Sequence, residues 1–534
     1  MTHRVRTRTA HEVRPPAVLE GEDTETYKTD ASRYPGQAPA KVYLPRDEGE
    51  VAWVVGQAEQ LLVVGAQSSL TGGAAPQGDA VLATSRMDSI GEVSGGRIRV
   101  QPGVALVTLN EVLAEQGAFF PPTPTYDGAF VGGAVSTNAA GAATWKYGTT
   151  REWVEGLTLV LACGEVLELE RGQIQASPEG TFEVELTSGE VLELTIPSYT
   201  MPDVPKRSAG YHAAPGMDLV DLFIGSEGTL GVVTSILLRF LEGNPEHVSA
   251  LVPCPSEATG LEFVRRLREA SRATWASHDP CGLDVRSVES MDRRAVELVA
   301  ADGHDQAAGL SLPAGTELLL LLVLELPAGS DAGAMLEDYA EDEPADSPLK
   351  RLLDLLCEFE LLDESELALP NDSARQAQLF AIREAVPVGV NHRVRDAKRD
   401  VDERIHKVGG DMIVPFEHFA TAMAVYRREF VELRGLDLVV WGHISDGNVH
   451  PNVIPRDHTC VELGHEALLA CGAALLKLGG CPLSEHGVGR NPVKQALLCQ
   501  LYGEEGLAEM RALKAVLDPD GCLARDVIFP WRPS

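Results

Sequence analysis

Two histidines, His443 and His450, flank Asp446-Gly447 within LDLVVWGHISDGNVHPNVI, residues 436–454. Asp-Gly between two apolar runs predicts a tight β-hairpin. With 446 and 447 as the loop residues, Ser445 pairs with Asn448, Ile444 with Val449 and His443 with His450. Directly opposed residues share a face with Cβ atoms about 4.5–5.5 Å apart, so the two imidazoles can chelate one ion or simply make a polar cross-strand contact. A third ligand stands in GGCPLSEHGVG, residues 479–489, where Glu485 and His486 share a glycine-flanked loop after a helix over 461–478. Two His and one carboxylate suit a divalent ion, zinc or similar, with positions left for substrate. The adjacent His486 is expected to face that substrate. Upstream, Arg383 in FAIREAV and Lys407 in HKVGGDMIVP are candidate anchors for an anionic substrate. Arginine matches a carboxylate bidentately and lysine acts as a point charge, against the plainer reading of both as surface cations.

A second set of residues is suited to phosphate. The run VVGAQSSLTGGAAP, residues 63–76, follows a strand-like apolar stretch and gathers Gly65, Ser68, Ser69, Thr71, Gly72 and Gly73. Glycines let the backbone turn and approach a ligand, while N–H groups and hydroxyls aim donors at anionic oxygens. A single loop of this kind is usually just a turn. Here VGGAVSTNAAG at 131–141 and IGSEGTLG at 224–231 repeat the combination, which argues for a bound dinucleotide diphosphate.

These groups need a scaffold, and composition bounds it. A chain of 534 residues holds two or more domains, and 45 Lys plus Arg against 79 Asp plus Glu, a net charge of −34, argues against nucleic acid or an anionic membrane as partner. No apolar run is expected to span a membrane; the longest, 318–324, is strand-sized. The basic N-terminus MTHRVRTRTAHEVRPP lacks the apolar core of a secretion signal, so a cytoplasmic protein with no integral membrane contact is expected. The nine cysteines form no C-x-x-C, which disfavours iron–sulfur clusters, attached haem and a disulfide framework.

Along the chain, residues 1–26 read as a tail without structure. Strands follow near 42, 61–64, 80–83, 97–100 and 157–161, with helices over 48–60 and 108–116. No G-x-G-x-x-G occurs, so a nicotinamide dinucleotide is not indicated. Two copies of GEVLEL, at 164–169 and 189–194, read as edge hairpins with glycine turns and carry no chemistry. From 243 the order strand, helix (257–272), strand (282–285), strand (318–326) predicts an α+β domain with an antiparallel sheet. The acidic stretch 337–346 reads as a solvated loop or helix end.

The 63–76 loop, PPTPTYDGAFVGGAVSTNAAGAATWKYGTTREWVEGL (121–157), KRSAGY (206–211), LFIGSEGTLGVVT (222–234), GHISDGNVH (442–450), SEHGVG (484–489) and LDPDG (517–521), taken together and in this order, resemble the flavin-linked 2-hydroxyacid dehydrogenases of the vanillyl-alcohol-oxidase fold. That family includes D-lactate dehydrogenase, the flavin subunit of glycolate oxidase and D-2-hydroxyglutarate dehydrogenase. The resemblance implies an α+β protein: a two-lobed FAD-binding domain of the vanillyl-alcohol-oxidase (PCMH) type over 27–242, an α+β cap with an antiparallel sheet over 243–500, and a segment 501–534 returning to the first domain. It implies FAD contacts from Gly65, Gln67, Ser68, Ser69, Leu70, Thr71, Gly72, Gly73, Pro122, Gly132, Gly133, Ser136, Thr137, Asn138, Gly141, Glu227, Gly228, Gly231, Val232 and Asn448. It likewise implies metal ligation by His443, His450 and Glu485, substrate binding by Arg383 and Lys407, and catalysis by His486. Tethered-flavin relatives carry a histidine near the diphosphate loop; none occurs from 61 to 80, so FAD is expected to be noncovalent.

The implied reaction oxidises a D-2-hydroxy acid, D-lactate-like, to the 2-oxo acid, with His486 taking the hydroxyl proton and flavin N5 the hydride. With no second cofactor motif, the electrons pass to an external acceptor, whether protein, quinone or oxygen; a homodimer stays open as an option. Three departures stand out. Pro387 replaces the Thr that follows Arg383 by four positions in the hydroxyglutarate enzymes, NHRVRDAKRDVDER at 391–404 is longer and more charged than usual, and Ala524-Arg525 replaces the usual Asn-Pro after LDPDG. Two alternatives belong to other classes: a flavin transferase like the alkyl-glycerone-phosphate synthases, whose run of adjacent histidines is absent here, and a flavin subunit of a larger redox complex.

Overall fold

The structure, a computed structural model, describes residues 2–122, 124, 126–341 and 344–531. Residues 342 and 343 of the acidic stretch, and Thr123 and Thr125 of the 121–157 motif, lie outside the described residues. The chain divides into two compact units: residues 1–141, 148–242 and 481–534 form the first, and residues 142–147 with 243–480 form the second. The chain thus re-enters the first unit at Cys481, where the sequence suggested 501.

In the first unit, strands Ala17–Glu20, Lys41–Leu44, Ala80–Ala83 and Leu61–Val64 lie side by side in that order, the last three mutually parallel. Leu61, Leu62, Val81 and Leu82 are fully buried. An apolar run without alternation is what a strand covered on both faces requires. Beyond Leu61 the edge is closed by the chain's end, with Leu61 N–H donating to the Cys522 carbonyl and Ala524 N–H to the Leu61 carbonyl, both at 2.8 Å. The helix expected over 48–60 is shorter, Glu48–Val55; Asp47 caps its start by accepting from Glu50 N–H. A second, antiparallel sheet runs Arg97–Val100, Val232–Arg239, Val154–Val160, Val166–Glu170. The two GEVLEL copies lie in different sheets, each after a left-handed turn glycine, Gly164 (φ 82°) and Gly189 (φ 87°). The N-terminal residues are not structureless. Arg4–Arg6 adds parallel to Thr181–Glu185, with Arg4 and Arg6 both 2.9 Å from Glu185, and Ala17–Glu20 pairs with Lys41–Leu44. The sequence reading missed these because strands of three and four residues are too short to show a period, and their partners lie far along the chain or beyond a long loop.

The second unit is built on an eight-stranded sheet. Its path is Glu366–Ala368, His247–Cys254, Leu318–Glu325, Asp284–Asp292, Asp437–Gly442, Asn448–Ile454, Val408–Gly409, with Met412–Ile413 also on Asn448–Ile454. Every pairing is antiparallel. LLLLLVLE occupies an interior strand with all eight side chains buried, which is why the run shows no polar face. Helix Ser373–Asp400 carries Arg383 and contains Pro387. A proline there has no N–H to give the Arg383 carbonyl four residues back, so the helix lacks that rung beside the arginine. The expectation that nothing is long and apolar enough to cross a membrane needs correction. Helix His458–Leu476 is, by length and composition, although 44% of its apolar window is buried within the protein.

Candidate functional site

In the first unit four glycine-bearing loops meet. Gly225 N–H donates to the Val135 carbonyl at 3.0 Å and Glu227 N–H to the Ser136 carbonyl at 2.8 Å, joining the third glycine cluster to helix Val131–Ser136. The Glu227 carboxylate then accepts from Val488 N–H at 2.8 Å and Gly489 N–H at 2.9 Å, tying in the SEHGVG loop. Arg490 N–H reaches the Thr71 carbonyl at 3.2 Å. Packing is close enough that a Cβ on Gly489 (φ 60°) would lie 2.3 Å from Thr71 Oγ1, and one on Gly72 (φ 74°) would meet Tyr34 at 2.7 Å. Gly132 is equally tight, against Pro102 at 2.4 Å. Gly65, Gly73 and Gly228 are looser, with nearest contacts at 3.4, 3.4 and 3.9 Å, and over the exposed Gly133 a Cβ meets nothing within 4 Å. That space, beside the partly exposed Ser136 and Thr137 and with Ser68 and Ser69 partly exposed as well, leaves room for a dinucleotide backbone. These residues fit FAD.

Other residues implied as cofactor contacts are turned to the fold. Gln67 (φ 52°) donates its amide to the carbonyls of Tyr27, Thr29 and Ala74. Asn138 (φ 48°) is buried and its Oδ1 accepts from Arg151 N–H at 2.9 Å. Val232 begins the buried strand opposite Val160. Gly231 and Gly228 shape the turn before it, Pro122 is buried and Leu70 is exposed.

On the SEHGVG loop, His486 is partly exposed with Nε2 3.4 Å from Glu485 Oε1. The other Glu485 oxygen is 2.9 Å from Nζ of Lys206, whose side chain is wholly buried. Lys206 opens the KRSAGY motif, and its type and placement were visible in the sequence without a role attached. Burial of Glu227 pushes its carboxyl up to about 7, against the Val488 and Gly489 N–H bonds and the charge of Lys494, which pull it down.

In the second unit the hairpin differs from the two-residue loop expected. Trp441 is paired with His450, and Asn448 N–H closes on the His443 carbonyl at 3.2 Å, so the loop spans 444–447. The Asp446 carboxylate accepts from Asn448 N–H and Gly447 takes φ 88°, a local turn that the two-residue reading did not allow for. His443 therefore faces position 448 instead of 450. A shift of two positions keeps each side chain on its face. His443 and His450 still meet diagonally, ring centroids 5.5 Å apart and planes at 88°.

Strand Asp284–Asp292 brings Glu289 to this face. Glu289 Oε1 makes a very short hydrogen bond with His443 Nδ1, and Oε2 accepts from Arg383 Nε at 2.8 Å. Burial would raise the Glu289 carboxyl, but the charges of Arg383 and His443 and their hydrogen bonds outweigh it and hold it well below the carboxylate range. Asn448 Nδ2 donates to Asp411 Oδ1 at 3.2 Å and to the Met412 carbonyl at 3.0 Å, and Asp411 Oδ1 lies 3.6 Å from His450 Nδ1. His443 thus has a hydrogen-bonded carboxylate on its Nδ1 side, the arrangement that orients Nε2 as a ligand lone pair, whereas Asp411 stands beside His450 at more than hydrogen-bond distance. The residues fit a divalent ion. Glu289 and Asp411 escaped the sequence reading because they come from segments distant in sequence from the hairpin, a strand well over 100 residues upstream for Glu289 and the turn between two short strands for Asp411. Lys407 is partly exposed on the approach to strand Val408–Gly409.

Comparison with known proteins agrees with these two halves. Residues 39–170 match the FAD binding domain model, and residues 245–528 match the model of FAD linked oxidases, C-terminal domain. The chain is 28% identical to the D-2-hydroxyglutarate dehydrogenase of Xanthomonas citri pv. viticola, covering 93% of this chain and 90% of that protein. It is 24% identical to glycolate oxidase subunit GlcD of Bacillus subtilis (95% and 91%) and 26% to the D-lactate dehydrogenase of Archaeoglobus fulgidus (86% and 83%). Among solved structures, an alkyldihydroxyacetonephosphate synthase superposes with TM-score 0.59 at 14% identity, over 98% of this chain and 86% of that one, a likeness of fold alone. Clustered glycine loops in one unit, two facing histidines in the other and domain matches spanning most of the chain lead to one conclusion: the chain belongs to the FAD-linked oxidases and is an FAD-dependent oxidoreductase of the 2-hydroxyacid dehydrogenase kind.

Proposed function

We propose that this enzyme oxidises a D-lactate-like D-2-hydroxy acid to the 2-oxo acid, in the cytoplasm, and passes the electrons to an external acceptor. The observation that carries the reading is the single carboxylate of Glu289, which orients His443 through Nδ1 and Arg383 through Nε. One group thereby sets a candidate metal ligand and a candidate substrate anchor relative to each other. Because the ion pair uses Arg383 Nε, the terminal Nη pair is the fork that a substrate carboxylate matches. Lys407 adds a second positive charge for the same carboxylate.

His443, His450 and Glu485 are the proposed ligands of a divalent ion, zinc or similar. The Glu485 carboxylate is also the partner of the buried Lys206 Nζ, 2.9 Å away. His486 holds the role of base and accepts the hydroxyl proton of the substrate. Noncovalently bound FAD supplies the hydride acceptor, and a divalent ion supplies a positive charge that makes the hydroxyl more acidic. Pro387, in place of a hydroxyl-bearing residue one turn beyond Arg383, favours a short apolar substrate tail over a second carboxylate. Anaerobic titration with D-lactate and with D-2-hydroxyglutarate tests this. Bleaching of the flavin absorbance by D-lactate at lower concentration is expected; no bleaching by any 2-hydroxy acid would overturn the reading.

A further inference from the structure

Arg490, the residue after the SEHGVG loop, is buried in the first unit, and its side chain joins three segments of that unit. Nη1 donates to the Ala75 carbonyl at 2.7 Å, Nη2 to Asp79 Oδ1 at 2.9 Å and to the Arg525 carbonyl at 2.7 Å, and Nε to the Arg525 carbonyl at 3.1 Å. Four of the five guanidinium N–H groups are thereby used, and the rigid planar fork fixes where they point. The backbone adds Arg490 N–H on the Thr71 carbonyl at 3.2 Å. One residue therefore holds both ends of the stretch Thr71 to Ala75, which contains Gly72 and Gly73. Asp79 uses its other oxygen on Gln77 N–H at 2.7 Å, so the same ion pair also holds the exit of the loop.

The far side of the arginine grips a strained stretch. Ala524, Asp526 and Ile528 all take left-handed backbone, with φ 43°, 64° and 70°. Such conformations are costly for non-glycine residues, most of all for a β-branched one, and persist only where neighbours hold them. Residues 489–495 supply that hold. Arg490 sits on the Arg525 carbonyl, Gln495 Nε2 donates to the Asp526 carbonyl at 2.9 Å, and the Gly489 carbonyl accepts from Ile528 N–H at 2.9 Å.

We infer that Arg490 is a positioning residue for FAD. It sets the 71–75 stretch against residues 524–528 and keeps the N–H groups and hydroxyls of the 63–76 loop in the arrangement that receives a diphosphate. A loop already ordered loses less freedom when its ligand binds, which raises affinity. The effect on flavin rests on the reading of that loop as the diphosphate site and of FAD as noncovalent; the clamp itself does not.

The test is the rate at which flavin leaves the holoenzyme on dilution, read as the rise in free-flavin fluorescence well below the melting temperature. R490K keeps a cation for Asp79, but one ammonium cannot grip Ala75, Asp79 and Arg525 together. It is expected to release flavin about tenfold faster, the effect of losing one hydrogen bond from a charged group, while the flavin-free protein melts as wild type does. Release at the wild-type rate overturns the inference. So does faster release that comes with an equally weakened flavin-free fold, since that is a structural role alone. Should R490K fail to fold, R490Q/D79N takes its place with the same two readouts, because it buries no unpaired charge. S68A/S69A separates the inference from the reading of the loop. Faster release from S68A/S69A but not from R490K means that the loop holds FAD without Arg490, and the inference alone falls. Wild-type release from both overturns the diphosphate reading and the inference with it.

Discussion

Arg383 donates from Nε to Oε2 of Glu289 at 2.8 Å, and both side chains are buried. Neutralising the carboxylate with E289Q keeps its shape and strips its charge. Metal affinity and kcat/KM are each expected to fall about 10–100-fold, as for other groups that orient metal ligands. Leaving Arg383 buried without its anion should also cost about 3–5 kcal/mol of stability. Metal content, steady-state kinetics and a melting curve measure the three effects; lost stability with undiminished metal binding would confine Glu289 to the fold.

Lys206 and Glu485 form the corresponding pair in the first unit, 2.9 Å apart. K206M leaves a buried carboxylate without its cation, and a loss of about 3–5 kcal/mol is expected. K206R should recover part of it. A melting temperature unchanged in K206M would show that Glu485 does not depend on this lysine.

Glu227 makes stability depend on pH. Burial lifts its folded pKa to about 7, above the unfolded value of about 4.3. Between these values the folded state holds the proton and the unfolded state releases it, so stability is greatest at the acid end of that window and falls until the pH passes 7. The drop is on the order of 3 kcal/mol. E227Q offers one acceptor oxygen where the carboxylate offers one to each of the Val488 and Gly489 N–H groups, and it lacks the titration. Its melting temperature relative to wild type should rise between pH 4.5 and pH 7. Parallel curves across that window would sink the assignment.

Replacing His486 with Ala should slow flavin reduction by substrate about 10²–10⁴-fold in anaerobic stopped flow, the range for loss of a general base, with FAD still bound. An unaltered rate would hand the proton to another group.

The acceptor can be addressed by mixing substrate-reduced enzyme with air-saturated buffer. Reoxidation slower than turnover with a protein acceptor is expected, and added salt should slow the protein reaction because the chain carries a net charge of −34. Air reoxidation that keeps pace with turnover would make the enzyme an oxidase.

What could be read from the sequence follows from the range of each signal. His443, His450 and Glu485 sit in short runs with turn residues, and their types announced them even though the hairpin register was off by two. The error was harmless because an even shift preserves the face; a shift by one would have sent His450 to the other side. Glu289 and Asp411 could not be found this way, since a glutamate in DVRSVESMD gains its role only when Asp284–Asp292 is set beside Asp437–Gly442. Gln67 and Asn138 show the converse. Their place in glycine loops suggested cofactor contacts, and in the structure their side-chain amides bond to neighbouring backbone, Gln67 to the Tyr27, Thr29 and Ala74 carbonyls and Asn138 to Arg151 N–H.

The re-entry of the chain at Cys481 sets an order for biosynthesis. A ribosome that has delivered residues 243–480 has released everything the second unit needs, while the first still lacks its last segment. Until that segment emerges, Leu61 has no Leu523 beside it, Thr229 has no Lys514 Nζ on its carbonyl, and the Glu227 carboxylate has neither of its N–H donors. The first unit's glycine loops are thus joined by a segment made after the whole of the second unit, and a transcript cut short after residue 480 leaves the Glu227 carboxylate without the Val488 and Gly489 N–H groups.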